Sequence, residues 1–176
     1  VSVSVIPRLL VLLFNHKIVL KKVMKEINSN NDNSKLSYLR KCIMETLRLI
    51  NPLITTFRTL SEDFSFDEKY SFKKGTQFLI LNNPVLREKE YFEKPNEYIP
   101  ERWTEEMEQS YYAISFNQGP QRCPAKELVI FLCQSFIYNF FRIKNINKNT
   151  KIQINQINIE DIPQITNPFS IKIQIN

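Results

Sequence analysis

The stretch Phe116-Asn117-Gln118-Gly119-Pro120-Gln121-Arg122-Cys123-Pro124-Ala125-Lys126-Glu127 decides how this chain is read. It places a cysteine behind a Gly-Pro turn and ahead of an apolar run, in a chain of 176 residues that has only two glycines, Gly75 and Gly119. A sequence so sparing with glycine puts one four residues before Cys123, where the backbone needs a conformation that other residues resist. Pro124 suits the first position of a helix, where a missing N–H costs nothing, so a helix is expected from Cys123 to about Phe141. Leu128, Phe131, Leu132, Ser135, Phe136 and Asn139 follow at helical spacing and form one mostly apolar face. A sulfur at a helix start is favoured as a thiolate, because the first-turn N–H groups and the helix dipole stabilise negative charge. Such a sulfur can bind a metal. A free cysteine is more often buried and inert; the surrounding turn is what shifts the reading.

The composition, 43% hydrophobic and 24% charged, is that of a single globular domain able to bury a core. Three cysteines, Cys42, Cys123 and Cys133, lack paired spacing, which argues against a disulfide framework and for a reducing compartment, cytosolic or on the cytosolic face of a membrane. No zinc pattern is present: there is no Cys-x-x-Cys pair, and His16 is the only histidine. The net charge is +6, but the basic residues are interleaved with acids along the chain, a pattern that speaks against nucleic-acid binding. An acidic protein partner is the more modest use of that charge, with Arg122, Lys126 and Lys144 as candidate contacts. The apolar opening from Val1 to Phe14 is interrupted by Pro7 and Arg8. It is too short for a membrane span and lacks the marks of a signal peptide, and it reads as the tail of a longer helix, so an N-terminal part is expected to be missing.

Periodicity predicts helices over 8–14 and 17–27, the second carrying Val19, Leu20, Val23 and Ile27 on one face, and a polar loop over 28–35. A strong helix is expected over 36–50, with Leu36, Leu39, Ile43, Leu47 and Ile50 in register and a stop at Asn51-Pro52. Short strands are expected over 54–57, 63–66, 70–72 and 76–81, with a turn at Lys74-Gly75. Residues 82–115 read as irregular, and such long stretches within a domain are usually functional or wrapped on a core. In the Ile-, Gln- and Asn-rich tail, alternation at Ile152 and Ile154, at Ile157 and Ile159, and over 171–175 suggests the two strands of a hairpin.

On the helix over 36–50, Glu45 and Arg48 stand three residues apart, opposite the apolar stripe. On a surface such a pair contributes less than about 1 kcal/mol. Its flanks, however, are Tyr38, Cys42, Met44 and Leu49, so the helix is apolar nearly all round and is expected to be buried on both sides. A buried pair needs further partners. Arg102, in Pro100-Glu101-Arg102-Trp103, is a candidate third member, because its fork can hold a carboxylate and a carbonyl together.

Glu45-Thr46-Leu47-Arg48 on a helix, then Pro100-Glu101-Arg102-Trp103, then Phe116-x-x-Gly119-x-x-x-Cys123-Pro124-Ala125, taken in that order, resembles the C-terminal part of the cytochrome P-450 family of haem-thiolate enzymes. The resemblance covers nearly the whole chain and implies a mainly α fold with small β-sheets (α+β), helices around a haem pocket, and 1–176 as the C-terminal portion of one domain. It implies haem b as cofactor, with Cys123 as the axial iron ligand and Phe116 packed near the sulfur. It also implies Glu45, Arg48 and Arg102 as a charged triad beside the haem, and Arg58 where the family places a strand arginine on a haem propionate. Gly119, Arg122 and Ala125 complete the cofactor-binding set. Two departures stand out. Gln121 occupies the place of a basic propionate ligand, with Arg122 one step later, and Ala125 replaces a glycine.

The implied activity is insertion of one oxygen atom of O2 into a small apolar substrate, with electrons from an acidic reductase. The family's oxygen-activating acid and alcohol pair lies upstream of where this chain starts, so no catalytic residue is assigned, and any membrane association would come through the absent N-terminal part. Two alternatives stay open: a haem-thiolate enzyme that isomerises or dehydrates a fatty-acid hydroperoxide, and an inactive truncated remnant without haem.

Overall fold

The computed structural model describes residues 2–53, 55–143, 150–153 and 172–175. Its elements in chain order are α1 (Ser2–Asn15), α2 (Lys17–Ser29), α3 (Ser37–Leu49), β1 (Thr55–Thr59), β2 (Phe64–Phe66), β3 (Tyr70–Phe72), β4 (Gln77–Leu81), α4 (Asn82–Leu86), α5 (Glu105–Gln109), α6 (Lys126–Arg142), β5 (Thr150–Gln153) and β6 (Lys172–Ile175). The chain is mixed helical with small antiparallel sheets, pairing β1 with β4, β2 with β3 and β5 with β6. Among the described residues no helix is long and apolar enough to cross a membrane.

Helix α3 is the centre of the core. Leu36, Leu39, Ile43 and Leu47 are buried on one side of it, and Cys42, Met44 and Leu49 on the other, as expected for a helix apolar nearly all round. Helices α1, α2 and α6 pack against it. Its start carries no cap of its own, since Leu36 has no side chain able to accept. The Glu26 carboxylate on α2 substitutes, accepting from the N–H groups of Tyr38 at 2.7 Å and Leu39 at 2.9 Å. A carboxylate there satisfies two otherwise orphaned donors and opposes the positive end of the helix dipole.

The structure corrects several expectations. Helix α1 begins at Ser2 rather than at residue 8 and takes Pro7 into its interior, which costs one backbone hydrogen bond. That loss is offset by the burial of Val5, Leu9, Leu10, Val11, Leu12 and Leu13 in the core. Helix α6 begins at Lys126, with Ala125 as its cap, so Cys123 and Pro124 precede the helix rather than opening it. The face of α6 carrying Leu128, Phe131, Leu132 and Phe136 is exposed, while Val129, Ile130, Cys133, Ile137, Tyr138 and Phe141 are buried. Both faces are apolar, so periodicity alone cannot choose between them. The span 82–115 holds α4 and α5 as well as 3-10 turns at Pro100–Arg102 and Ile114–Phe116.

Strands β1 and β4 pair in the register Thr55↔Leu81, Phe57↔Leu79 and Thr59↔Gln77. At the turn before β4, Gly75 has φ +85, the left-handed conformation that glycine adopts without steric cost. In the tail, β5 and β6 pair antiparallel with Ile152 opposite Ile173. The strand expected at Ile157 and Ile159 lies outside the described residues.

Candidate functional site

Gly119 has φ +72, so the turn ahead of Cys123 uses the freedom its glycine supplies. Residues Gly119–Gln121 form a single 3-10 turn closed by Arg122 N–H donating to the Gly119 carbonyl at 3.1 Å. The chain then doubles back, and Cys123 N–H donates to the Phe116 carbonyl at 2.7 Å. The Phe116 side chain is buried beside this loop. Cys123 is half-buried and packs against the core, whereas Cys42 and Cys133 are fully buried, and all three are free thiols. Burial pushes the Cys42 thiol far above its ordinary value and the Cys133 thiol up to about 11. Of the three cysteines, Cys123 is the one whose side chain is not fully buried.

Asn117 lies in this loop with φ +58 and ψ 169, a combination that residues with a Cβ rarely adopt. Its side-chain oxygen accepts from the Thr56 hydroxyl on β1 at 3.4 Å. Thr56 in turn accepts from Asn82 Nδ2 at 3.3 Å, and the same amide donates to the Leu53 carbonyl at 3.0 Å. A short polar chain thus ties the cysteine loop to the β1–β4 ribbon.

Glu45, Arg48 and Arg102 come together. Arg48 donates from Nε to Glu45 Oε2 at 2.9 Å and from Nη2 to Oε1 at 2.8 Å, with both side chains fully buried, and Arg102 Nε reaches Oε1 at 3.1 Å. Arg48 also donates to the carbonyls of Leu86, Pro95 and Glu97, and Arg102 to those of Glu93 and Lys94. The two forks hold the irregular span against α3, and Arg48 sits 5.0 Å over the Phe92 ring. Two members of the cluster escape a reading for charge alone: Trp103 Nε1 donates to Glu45 Oε2 at 2.8 Å, and Ile99 N–H to Oε1 at 3.0 Å. The tryptophan beside Arg102 was the available signal, since a buried indole N–H needs an acceptor.

The other candidates stand apart from this cluster. Arg58 is half-buried on β1, across from Phe78, and donates to the Phe57 carbonyl at 2.8 Å. Arg122 is exposed, Ala125 is half-buried, and Gln121 is exposed. Lys126, expected as a docking contact, faces inward to Glu108 at 3.3 Å, and Lys144 lies outside the described residues. An open groove of about 1180 Å³ runs past the cysteine, lined by residues that include Arg40, Trp103, Glu108, Arg122, Cys123 and Glu127.

The model of the cytochrome P-450 family matches residues 2–168. The chain belongs to the cytochrome P-450 family. It is 31% identical over 122 residues to a (21S)-21-acetyl-1-hydroxy-apo-melianone synthase of Melia azedarach, an alignment covering 68% of this chain and 25% of the relative. A probable cytochrome P-450 of Caenorhabditis elegans is 31% identical over 126 residues, covering 68% of this chain and 26% of that protein. Beta-amyrin 11-oxidase of Glycyrrhiza uralensis is 30% identical over 113 residues, covering 62% and 23%. The chain thus spans about a quarter of the length of these cytochrome P-450 relatives.

Proposed function

We propose that residues 1–176 are part of one cytochrome P-450 domain that binds haem b through Cys123 and serves a haem-thiolate monooxygenase acting on a small apolar substrate. The observation that carries this reading is the half-buried Cys123 at the end of a turn fixed by Gly119 and by the 2.7 Å bond to the Phe116 carbonyl. The donor chemistry fits the cofactor: a soft sulfur with access suits iron in a porphyrin, which asks the protein for one strong ligand. Among the described residues no three His, Cys, Asp or Glu side chains gather to hold a metal by themselves, and haem does not need such a set.

When bound, haem supplies the activation of O2 and the oxidation of the substrate, with the thiolate donating electron density to favour O–O cleavage. The work of this chain's own residues is placement. Cys123 supplies the ligand, Phe116 shields it on one side, and the backbone from Gly119 to Ala125 sets the ligand's orientation and the polarity around it. Arg58 and Arg122 are the cations proposed for the propionates. Glu45, Arg48 and Arg102 hold the span that leads to the cysteine loop against α3. Electrons come from an acidic reductase, and with Lys126 turned toward Glu108, Arg122 remains the proposed basic contact near the sulfur.

The test is haem uptake followed by the spectrum of the reduced carbon monoxide complex. The wild-type protein should bind haem and show a thiolate-type Soret band, and Cys123→Ala should abolish haem binding. Normal haem content in Cys123→Ala overturns the assignment.

A further inference from the structure

The cysteine turn is anchored unevenly. Upstream it is held by the 2.7 Å bond from Cys123 N–H to the Phe116 carbonyl, whereas downstream the Lys126 N–H reaches the Cys123 carbonyl only at 3.4 Å. What fixes the downstream side comes from elsewhere in the fold. Arg40 on α3 donates to Glu108 on α5 from Nε at 2.9 Å and from Nη2 at 2.7 Å, and to Glu127 in the first turn of α6 from Nη1 at 2.7 Å and Nη2 at 2.9 Å. Lys126 Nζ lies 3.3 Å from Glu108 Oε2 and closes the ring. A planar guanidinium bonded to two carboxylates in this way fixes direction as well as distance.

We propose that Arg40 is a positioning residue for Cys123, clamping the first turn of α6 and helix α5 to α3 so that the sulfur keeps one place relative to the core. The function of that placement rests on the reading of Cys123 as the iron ligand; the placement itself does not. The Glu127 side chain is 71% exposed, so its pair with Arg40 adds little to global stability, whereas the Arg40–Glu108 pair is largely buried. The Glu127 arm therefore acts on the local geometry of the first turn of α6. Arg40, Glu108, Glu127 and Cys123 line the same groove, so loosening the fork reaches the sulfur before it reaches the buried core around Cys133.

The test compares wild type with Arg40→Ala and Arg40→Lys in the purified protein. Without haem, alkylation of each cysteine by iodoacetamide is followed by mass spectrometry. Loss of the clamp should raise the Cys123 rate roughly fivefold, through local opening, and leave the Cys133 rate nearly unchanged. Arg40→Lys keeps the charge but not the fork and should fail to restore the wild-type rate. With haem bound, both variants should shift the iron reduction potential and lower the fraction of reduced carbon monoxide complex with the thiolate-type Soret band. An unchanged Cys123 rate overturns the proposal. So does a parallel rise at Cys123 and Cys133, which would mark general loosening, or full rescue by Arg40→Lys. If the wild type takes up no haem, the haem reading fails, and the alkylation rates still decide the role of Arg40.

Discussion

Glu45 shows how a single buried charge organises this part of the chain. Its two oxygens accept from Arg48, Arg102, Trp103 and the Ile99 N–H, so the carboxylate is removed from water with its hydrogen bonds supplied by the protein. Truncating it leaves the Arg48 guanidinium buried without its counter-charge. Glu45→Ala should cost about 3–5 kcal/mol in urea unfolding, and a loss below about 1 kcal/mol would mean that the cluster is solvated. Trp103→Phe removes one donor to a charged acceptor while keeping most of the ring, and should cost about 1.5–3 kcal/mol by the same measurement. The pairing of Glu45 with Arg48 was legible from spacing in an apolar helix, and Arg102, from a distant segment, entered only as a fork able to hold a carboxylate and a carbonyl together. The Ile99 N–H was not, because a backbone donor leaves no trace in residue type. Asn117 is the converse case. Gly119 announces its left-handed conformation by being glycine, but Asn117 combines φ +58 with ψ 169, outside the left-handed helical region that asparagine favours, so its identity gives only a weak signal.

At the scale of elements, the ends of helices carry the information that sequence reading left out. Helix α3 is capped by Glu26 of another helix, and Glu127 in the first turn of α6 is held by Arg40 of α3. Both devices join residues far apart in the chain, which local periodicity cannot detect. The fork on Arg40 also predicts an acid response. Burial works against ionisation of Glu108, yet hydrogen bonds from Arg40 and the nearby charges of Arg40 and Lys126 outweigh it and hold the carboxyl below its ordinary value; at Glu127 the Arg40 hydrogen bonds dominate directly. The unfolded chain therefore binds these protons more tightly than the folded one, and stability rises with pH across that window. The contribution is complete above the ordinary carboxylate value of about 4.3 and is lost as pH falls through the lowered folded values. Urea midpoints of Glu108→Gln should fall less steeply between about pH 5 and pH 3 than those of wild type, and superimposable curves would contradict the assignment.

For the whole molecule, α1, α2 and α6 share one core around α3. Leu39 is fully buried in it, so Leu39→Ala should cost about 2–5 kcal/mol and reduce amide hydrogen-exchange protection in all four helices together. Loss of protection confined to α3 would show that they do not unfold as one unit. The four long helices, the burial of α3 on both sides and the turn at Gly119 were legible, because each rests on local pattern, whereas the short helices α4 and α5 in the span read as irregular were not. Which face of α6 enters the core was not, because Leu128 and Phe131 are as apolar as Ile130 and Ile137, and only the placement of α1 and α3 selects between them. The arrangement gives the cysteine loop three supports: the β1 ribbon through Thr56 and Asn117, the Phe116 carbonyl, and the Arg40 fork on α6. X-ray absorption at the iron edge of the haem-loaded protein tests most directly what that support is for. One sulfur neighbour on iron is expected in the wild type and none in Cys123→Ser; a wild-type iron without sulfur, or a sulfur neighbour that persists in the variant, rules out Cys123 as the ligand.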